Sequence, residues 1–171
     1  LVEGGLESYH FKVAHRKTIG PYFEDNLSSY QMLGDHMRSV LMRSSMHILN
    51  DLPPSQWRLR DHANIIYTFF PTTQLLVQQD HIVWINSRPI SATETELRLV
   101  TLAPISRLDD DEYWEKNHRI TSNTLNEDFV IGESIQAGLA TGANEHMTFG
   151  RFEGALPEFN RVVKRYTSAQ A

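Results

Sequence analysis

The chain has 171 residues, of which 40% are hydrophobic, enough for one domain with a substantial core but not for a second domain of ordinary size. A formal net charge of −5 and a pI near 5.9 argue against nucleic acid binding. The sequence contains no run of about eighteen apolar residues, the length needed to span a membrane. Because cysteine is absent, this chain can hold no disulfide, thiolate zinc site, cysteine nucleophile or iron–sulfur cluster.

The N-terminal segment carries a carboxylate and two imidazoles, Glu7, His10 and His15, before a break at Gly20-Pro21. On a predicted helix Glu7 and His10 share a face, whereas His10 and His15 lie about 140° apart. The two imidazoles can therefore reach one point only if the helix bends or frays between them. The spacing is compatible with a metal site and also with histidines that are hydrogen-bonded parts of the scaffold.

Residues 16–26 are predicted to form a loop, and the apolar spacing of residues 28–49 predicts a helix with a Met-rich packing face. Residues 58–70, 74–79, 81–91 and 95–105 are predicted as strands, and their short connections favour antiparallel neighbours. The third and fourth strands are apolar on both faces. One face would cover helices, and the other would either line a cavity or fill the core.

The C-terminal third is predicted to be helical. A solvated acidic helix start at residues 109–112 leads into a short helical piece at 113–118. Thr124 to Glu127 has the pattern of a capping box that opens a helix ending near Leu139. Residues 155–167 form an amphipathic helix that could lie along the sheet. The predicted order of helices, antiparallel sheet and helices is that of an α+β domain.

Asp128 is predicted to lie in the middle of the apolar stripe of its helix, whereas Glu127 and Glu133 lie off it. A core-facing carboxylate costs several kcal/mol unless its charge is compensated, by a buried arginine, by a loop that it caps, or by a metal ion. Combined with His10 and His15, Asp128 completes a set of two histidines and one carboxylate. Such a set with open positions suits non-haem Fe(II).

Five sequence motifs resemble the catalytic domain of the large subunit of Rieske-type non-haem iron ring-hydroxylating oxygenases. They occur in order along nearly the whole chain: Glu7-Ser8-Tyr9-His10 with Ala14-His15, Asn126-Glu127-Asp128, Ile135-Gln136-Ala137-Gly138-Leu139, Phe149-Gly150-Arg151-Phe152-Glu153 and Leu156-Pro157-Glu158-Phe159. The resemblance implies a helix-grip (START/Bet v 1-like) fold, in which a curved antiparallel sheet packs against a long C-terminal helix.

The same resemblance implies that His10, His15 and Asp128 bind the mononuclear iron, and that Glu7 carries electrons to it from a Rieske [2Fe-2S] cluster of a neighbouring subunit. It further implies a trimer, a reductase or ferredoxin partner, and NAD(P)H as the indirect electron source. The motifs of the Rieske domain are absent and the first residue is Leu1. We therefore expect residues 1–171 to be the C-terminal catalytic portion of a longer protein, located in the cytoplasm because no signal-peptide pattern is present.

The expected reaction is O₂-dependent mono- or dioxygenation of an aromatic or other hydrophobic molecule, as in aromatic hydrocarbon catabolism. Oxidative demethylation and hydroxylation of a quaternary amine are alternatives within the family. Outside it, the alternatives are a non-catalytic helix-grip module that binds hydrophobic ligands and a zinc hydrolase. Five apolar residues are predicted to line the substrate pocket: Phe69, Phe70, Leu75, Ile82 and Trp84.

Overall fold

In the computed structural model, which describes residues 1–144 and 146–168, six antiparallel strands follow one another in sequence order and form one sheet. Each strand pairs with the next, and four of the five connections are short, as expected where successive strands alternate in direction. Residues 44–62 form a longer connection between β2 and β3. The strands are β1 (Phe23–Leu33), β2 (His36–Arg43), β3 (Ala63–Phe69), β4 (Thr73–Val77), β5 (Ile82–Pro89) and β6 (Thr95–Leu102).

The helix predicted for residues 28–49 is wrong, because this segment forms most of the β1–β2 hairpin and a 3₁₀ segment, Ser44–Asp51. Gly34 occupies the hairpin turn with φ of +67°, a conformation that favours glycine. Met37, Ser39 and Leu41 alternate as buried residues, as a strand with one face on the core requires. The helical spacing of apolar residues was misleading, since Tyr30 and Leu33 are exposed.

The four strands predicted between residues 58 and 105 correspond to β3 to β6, with shorter ends. Short 3₁₀ segments precede or connect the strands at Glu3–Gly5, Gly20–Tyr22, Pro54–Gln56 and Leu59–His62, and another, Ile105–Arg107, lies between β6 and the first long helix. The antiparallel sheet with C-terminal helices is the predicted α+β, helix-grip type of fold.

The described residues form three α-helices: α1 (Phe11–Ala14), α2 (Asp111–Ala140) and α3 (Ala155–Ser168). The acidic start at residues 109–112 and the C-terminal amphipathic helix agree with the sequence prediction. The capping box at Thr124 is wrong, because α2 runs unbroken for 30 residues and the Thr124 hydroxyl donates back to the Ile120 carbonyl. None of the helices in the described ranges is both long and apolar enough to cross a bilayer.

The core lies on the inner face of the sheet, the face toward the three α-helices. One cluster joins α1 to the sheet through Phe11, Phe23, Leu41 and Ile66. A second cluster joins Met37 of β2 to Ala155 at the start of α3 and includes Leu156 and Phe159. These two clusters fix the N-terminal segment and α3 against the sheet.

Candidate metal centre

The segment from Glu7 to His15 contains only one short helix, and this is what brings its two histidines together. His10 is the N-cap of α1 and His15 its C-cap, where the backbone leaves the helical region at φ of −105° and ψ of 26°. The ring centroids of the two imidazoles lie 5.2 Å apart. The fraying that the sequence required is therefore present in the structure.

Gly20 holds the chain close to the end of α1. A Cβ at this position would lie 2.6 Å from the Phe11 carbonyl oxygen and 2.8 Å from that of His15, so only glycine fits without displacement. The Gly20 N–H donates to the His15 carbonyl at 2.9 Å. The close approach thus completes the turn that ends the helix at the second histidine.

Asp128, on α2, meets both imidazoles. Its Oδ1 lies 3.1 Å from Nε2 of His15 and 3.7 Å from Nε2 of His10, and the three potential ligand atoms lie within 4.8 Å of one another. Both Nε2 atoms are buried, and neither makes a hydrogen bond with any residue in the described ranges. Two orphaned imidazole nitrogens beside a carboxylate form a donor set that fits Fe(II).

Each imidazole has a carboxylate at its other nitrogen. Glu7, which is 4% exposed, places Oε1 2.5 Å from Nδ1 of His10, and Glu127 places Oε2 2.6 Å from Nδ1 of His15. Carboxylates in these positions hold the Nδ1 proton and leave the lone pair on Nε2, the arrangement found around metal-bound histidines. The site thus contains two histidines, each with its own glutamate, and one aspartate.

The electrostatics of the His15 side reflect this crowding of carboxylates. Burial lowers the pKa of His15, but the Asp128 and Glu127 carboxylates raise it by more, so the net pKa lies above its usual value. Burial raises the pKa of Glu127, whereas the Thr18 hydroxyl and His15 lower it, and the net pKa is below the usual value. A positive charge between these groups is therefore favoured.

The contact between Glu127 and His15 was missed in the sequence because Glu127 was assigned to a helix start and lies off the apolar stripe. The signal that could have found it is its place directly before Asp128 on one helix. A helical residue next to Asp128 points about 100° away from it, and for Glu127 this direction is toward the ring edge of His15. Only the folded path of residues 15–20 brings that edge within reach.

A cavity of about 1380 Å³ opens beside the triad, between the inner face of the sheet and α2. The inner-face residues Leu41, Ile66, Leu76 and Ile85 contribute apolar walls, and Phe129 and Ile135 contribute from α2. His10, His15 and Asp128 lie in its wall. Candidate metal ligands at the wall of a largely apolar cavity form a site where a bound organic molecule could react.

None of the five residues predicted for the substrate pocket lines this cavity, so that prediction requires correction. Leu75 and Trp84 are paired across β4 and β5 on the outer face, which also carries Ile82 and Phe69. Phe70 lines a separate surface groove of about 510 Å³ beside α3. Because side chains alternate along a strand, the cavity is lined by their neighbours, such as Leu76 and Ile85.

Comparison with known proteins assigns this chain to a family. The family model described as ring hydroxylating alpha subunit (catalytic domain) matches residues 1–169. The chain belongs to this family. The match covers every residue of the triad and both glutamates at the Nδ1 atoms. A search of the curated proteins gave no significant match.

Two solved structures share the fold of this family member. The crystal structure of the quaternary ammonium Rieske monooxygenase CntA with an inhibitor has a TM-score of 0.70 and 18% identity, over 96% of this chain and 44% of that chain. The second is a quaternary ammonium Rieske monooxygenase whose structure is described for carnitine oxidation by gut microbiota and inter-subunit electron transfer. It has a TM-score of 0.62 and 17% identity, over 99% of this chain and 45% of that chain. The chain thus spans less than half of their length.

Proposed function

We propose that this chain is the catalytic domain of a Rieske-type oxygenase that hydroxylates a hydrophobic small molecule with O₂ at Fe(II). One observation carries the proposal: two buried imidazole nitrogens without hydrogen-bond partners in the described residues face a carboxylate at the wall of a large cavity. A helix-grip module that only bound ligands would gain nothing from such an arrangement, because each orphaned nitrogen costs about 1–3 kcal/mol. Membership of the ring-hydroxylating family supports the same chemistry.

In this proposal His10, His15 and Asp128 hold the iron. Bound Fe(II) would supply the positions at which O₂ is activated next to the substrate. The apolar wall residues Leu41, Ile66 and Ile85 exclude water and hold the substrate against the ligand side of the cavity.

The electron path is proposed to run through Glu7 from the Rieske cluster of a neighbouring subunit, in an oligomer such as a trimer. Glu7 contacts a ligand imidazole directly, as the iron end of such a path requires. A reductase or ferredoxin would supply the electrons, drawn indirectly from NAD(P)H. Electron transfer between subunits is described for one of the two structural neighbours, and this supports the same path here.

The charge of the cavity favours a second candidate, oxidation of an organic cation such as a quaternary amine. Arg43 is the one basic side chain among the described cavity residues, apart from the histidines. Its guanidinium is already engaged, because it donates to Gln79 and lies over the Phe23 ring. The acidic residues that line the cavity number five: Glu3, Glu7, Glu94, Asp128 and Glu133. With Asp128 assigned to Fe(II) and Glu7 held by a ligand histidine, Glu3, Glu94 and Glu133 are the acidic groups left to attract cations and disfavour carboxylate substrates.

An oxygen-transfer assay tests the function without an electron partner. Hydrogen peroxide labelled with ¹⁸O supplies both the oxygen atom and the electrons, so that a C–H group becomes C–OH and water is released. Iron-loaded protein is mixed with tert-butylbenzene, with its cationic isostere phenyltrimethylammonium, or with benzoate as an anionic aromatic compound. Mass spectrometry then measures the label in each product.

The proposal predicts a labelled product with wild-type protein and none with Asp128→Ala. Preference for phenyltrimethylammonium over its neutral isostere would select the organic-cation function, and the reverse preference would select the hydrophobic-substrate function. Labelled product in equal yield from Asp128→Ala would contradict both, because oxygen transfer would then not depend on the proposed ligand.

A further inference from the structure

A single glutamate connects the more deeply buried histidine to the helix that carries the aspartate. His15 is 1% exposed, and its Nδ1 lies 2.6 Å from Oε2 of Glu127. The same oxygen accepts a hydrogen bond from the Thr18 hydroxyl at 2.7 Å. Thr18 also contacts His15 directly, because its backbone N–H donates to the His15 carbonyl.

From these hydrogen bonds we propose that Glu127 is a positioning residue that sets the orientation and tautomer of His15, and thereby the affinity of the site for Fe(II). The inference rests on the proposed function, since it assumes that His15 binds iron. Glu127 keeps the proton on Nδ1, so the lone pair of Nε2 faces Asp128. The Thr18 hydroxyl fixes the carboxylate and so prevents rotation of the ring.

The two histidines differ in where their partners come from. Glu7 precedes His10 by three residues, so this pair forms within one local segment. Glu127 reaches His15 from α2, where it directly precedes Asp128. One turn of α2 therefore delivers both a ligand and the group that orients another ligand. Packing of α2 against the N-terminal segment therefore brings Asp128 and Glu127 to His15 together.

The test compares iron affinity and site geometry in four variants of the protein. Glu127→Ala removes the acceptor, Glu127→Gln retains an acceptor of the same shape without the charge, and Thr18→Val removes the hydroxyl that fixes it. Glu115→Gln is the control, because Glu115 is exposed on the same helix. Anaerobic titration gives the Kd for Fe(II), and the electron paramagnetic resonance spectrum of the nitric oxide adduct reports the symmetry of the ligand field. Thermal melts confirm that each variant is folded at the assay temperature.

We expect Glu127→Ala to weaken Fe(II) binding by about 10- to 100-fold and to change the rhombicity of the spectrum. Glu127→Gln and Thr18→Val should show smaller changes in the same direction, and Glu115→Gln none. Affinity within about twofold of wild type and an unchanged spectrum in Glu127→Ala would overturn the proposal.

If Glu127→Ala is unfolded at the assay temperature, the isosteric Glu127→Gln decides by the same two readouts. A purely structural role for Glu127 would lower the melting temperature of the variants but leave the spectrum of the folded protein unchanged. Failure of the wild-type protein to bind Fe(II) would instead reject the proposed function itself.

Discussion

The Glu7 carboxylate contacts both the imidazole of His10 and the backbone of the turn that follows Glu7. Its Oε1 lies 2.5 Å from Nδ1 of His10, and its Oε2 accepts a hydrogen bond from the N–H of Tyr9. Because Glu7 is only 4% exposed, its carboxylate is largely shielded from solvent that could replace either partner. A buried acceptor that is satisfied by a ring nitrogen and a backbone donor is held in one geometry. The orientation of His10 is thus determined within four residues of sequence.

Glu7→Gln should retain iron but lose turnover. The amide oxygen can still accept the His10 proton, which keeps the imidazole oriented, although the amide nitrogen cannot replace the oxygen that accepts the Tyr9 N–H. The charge proposed to serve electron transfer is removed. Iron content by elemental analysis and O₂ consumption with the electron-donor proteins present check the two parts separately. Turnover at the wild-type rate in a protein that holds iron would remove the electron-transfer role of Glu7.

Gly20→Ala should destabilise the protein by about 1–3 kcal/mol, because the added methyl group would meet the carbonyl oxygens of Phe11 and His15. The same turn sets the position of His15, so iron affinity should fall as well. The matched control is Gly138→Ala within α2, where the added methyl group would have no side chain or neighbouring element of the described residues within 4 Å. That change should stabilise the protein by about 0.5–1 kcal/mol. Urea denaturation measures both, and equal effects would contradict the packing at Gly20.

Leu76→Trp and Leu75→Trp form a matched pair that tests which face of the sheet holds the ligand. Leu76 lines the cavity, whereas its neighbour Leu75 is on the outer face, opposite Trp84. A bulky ring at position 76 should weaken binding of a small hydrophobic ligand by about tenfold or more, and the same ring at position 75 should have little effect. Saturation-transfer NMR with tert-butylbenzene measures the binding. The opposite order of effects would place the ligand on the outer face.

Asp80 ties the β4–β5 turn to the start of α2, and its contribution to stability should depend on pH. Burial raises its pKa, but hydrogen bonds from Tyr113 and His81 and the charge of Arg107 lower it, and the net pKa is below its usual value. A carboxyl group whose pKa is lower in the folded state stabilises the protein above its unfolded pKa of about 3.9, and this contribution is lost as the pH falls through the folded value.

Asp80→Asn should therefore destabilise the protein at pH 7 by about 1–2 kcal/mol. The difference between wild type and variant should shrink below about pH 4. Urea denaturation at a series of pH values measures this dependence, and a difference that is constant down to about pH 2 would show that Asp80 does not act through its charge.

The sequence predicted β3 to β6 and the C-terminal helix because each has a clear period and short, polar connections. It failed for β1 and β2, since Tyr30, Leu33 and Met37 happen to lie at helical spacing. The signal that distinguishes a hairpin from a helix here is Gly34 in a turn with positive φ, together with the alternation of buried residues along β2. Local spacing could not show that Tyr30 and Leu33 would be exposed.

For the candidate site, residue chemistry grouped His10, His15 and Asp128, and the structure places their ligand atoms within 4.8 Å of one another. The role of Glu127 and the residues of the cavity could not be predicted in the same way. Both depend on which face of an element meets which neighbour, and a shift of one residue along a strand reverses that face. This is why Leu75 and Trp84 were predicted in place of Leu76 and Ile85.

The most direct test of the proposed metal site is the iron content of protein prepared anaerobically with excess iron, for wild type, Asp128→Ala and the exposed control Asp109→Ala. The proposed ligand set predicts about one iron per chain in wild type and in Asp109→Ala, and almost none in Asp128→Ala. Iron at an equal level in Asp128→Ala, or none in any of the three proteins, would contradict the assignment of His10, His15 and Asp128 as the metal site.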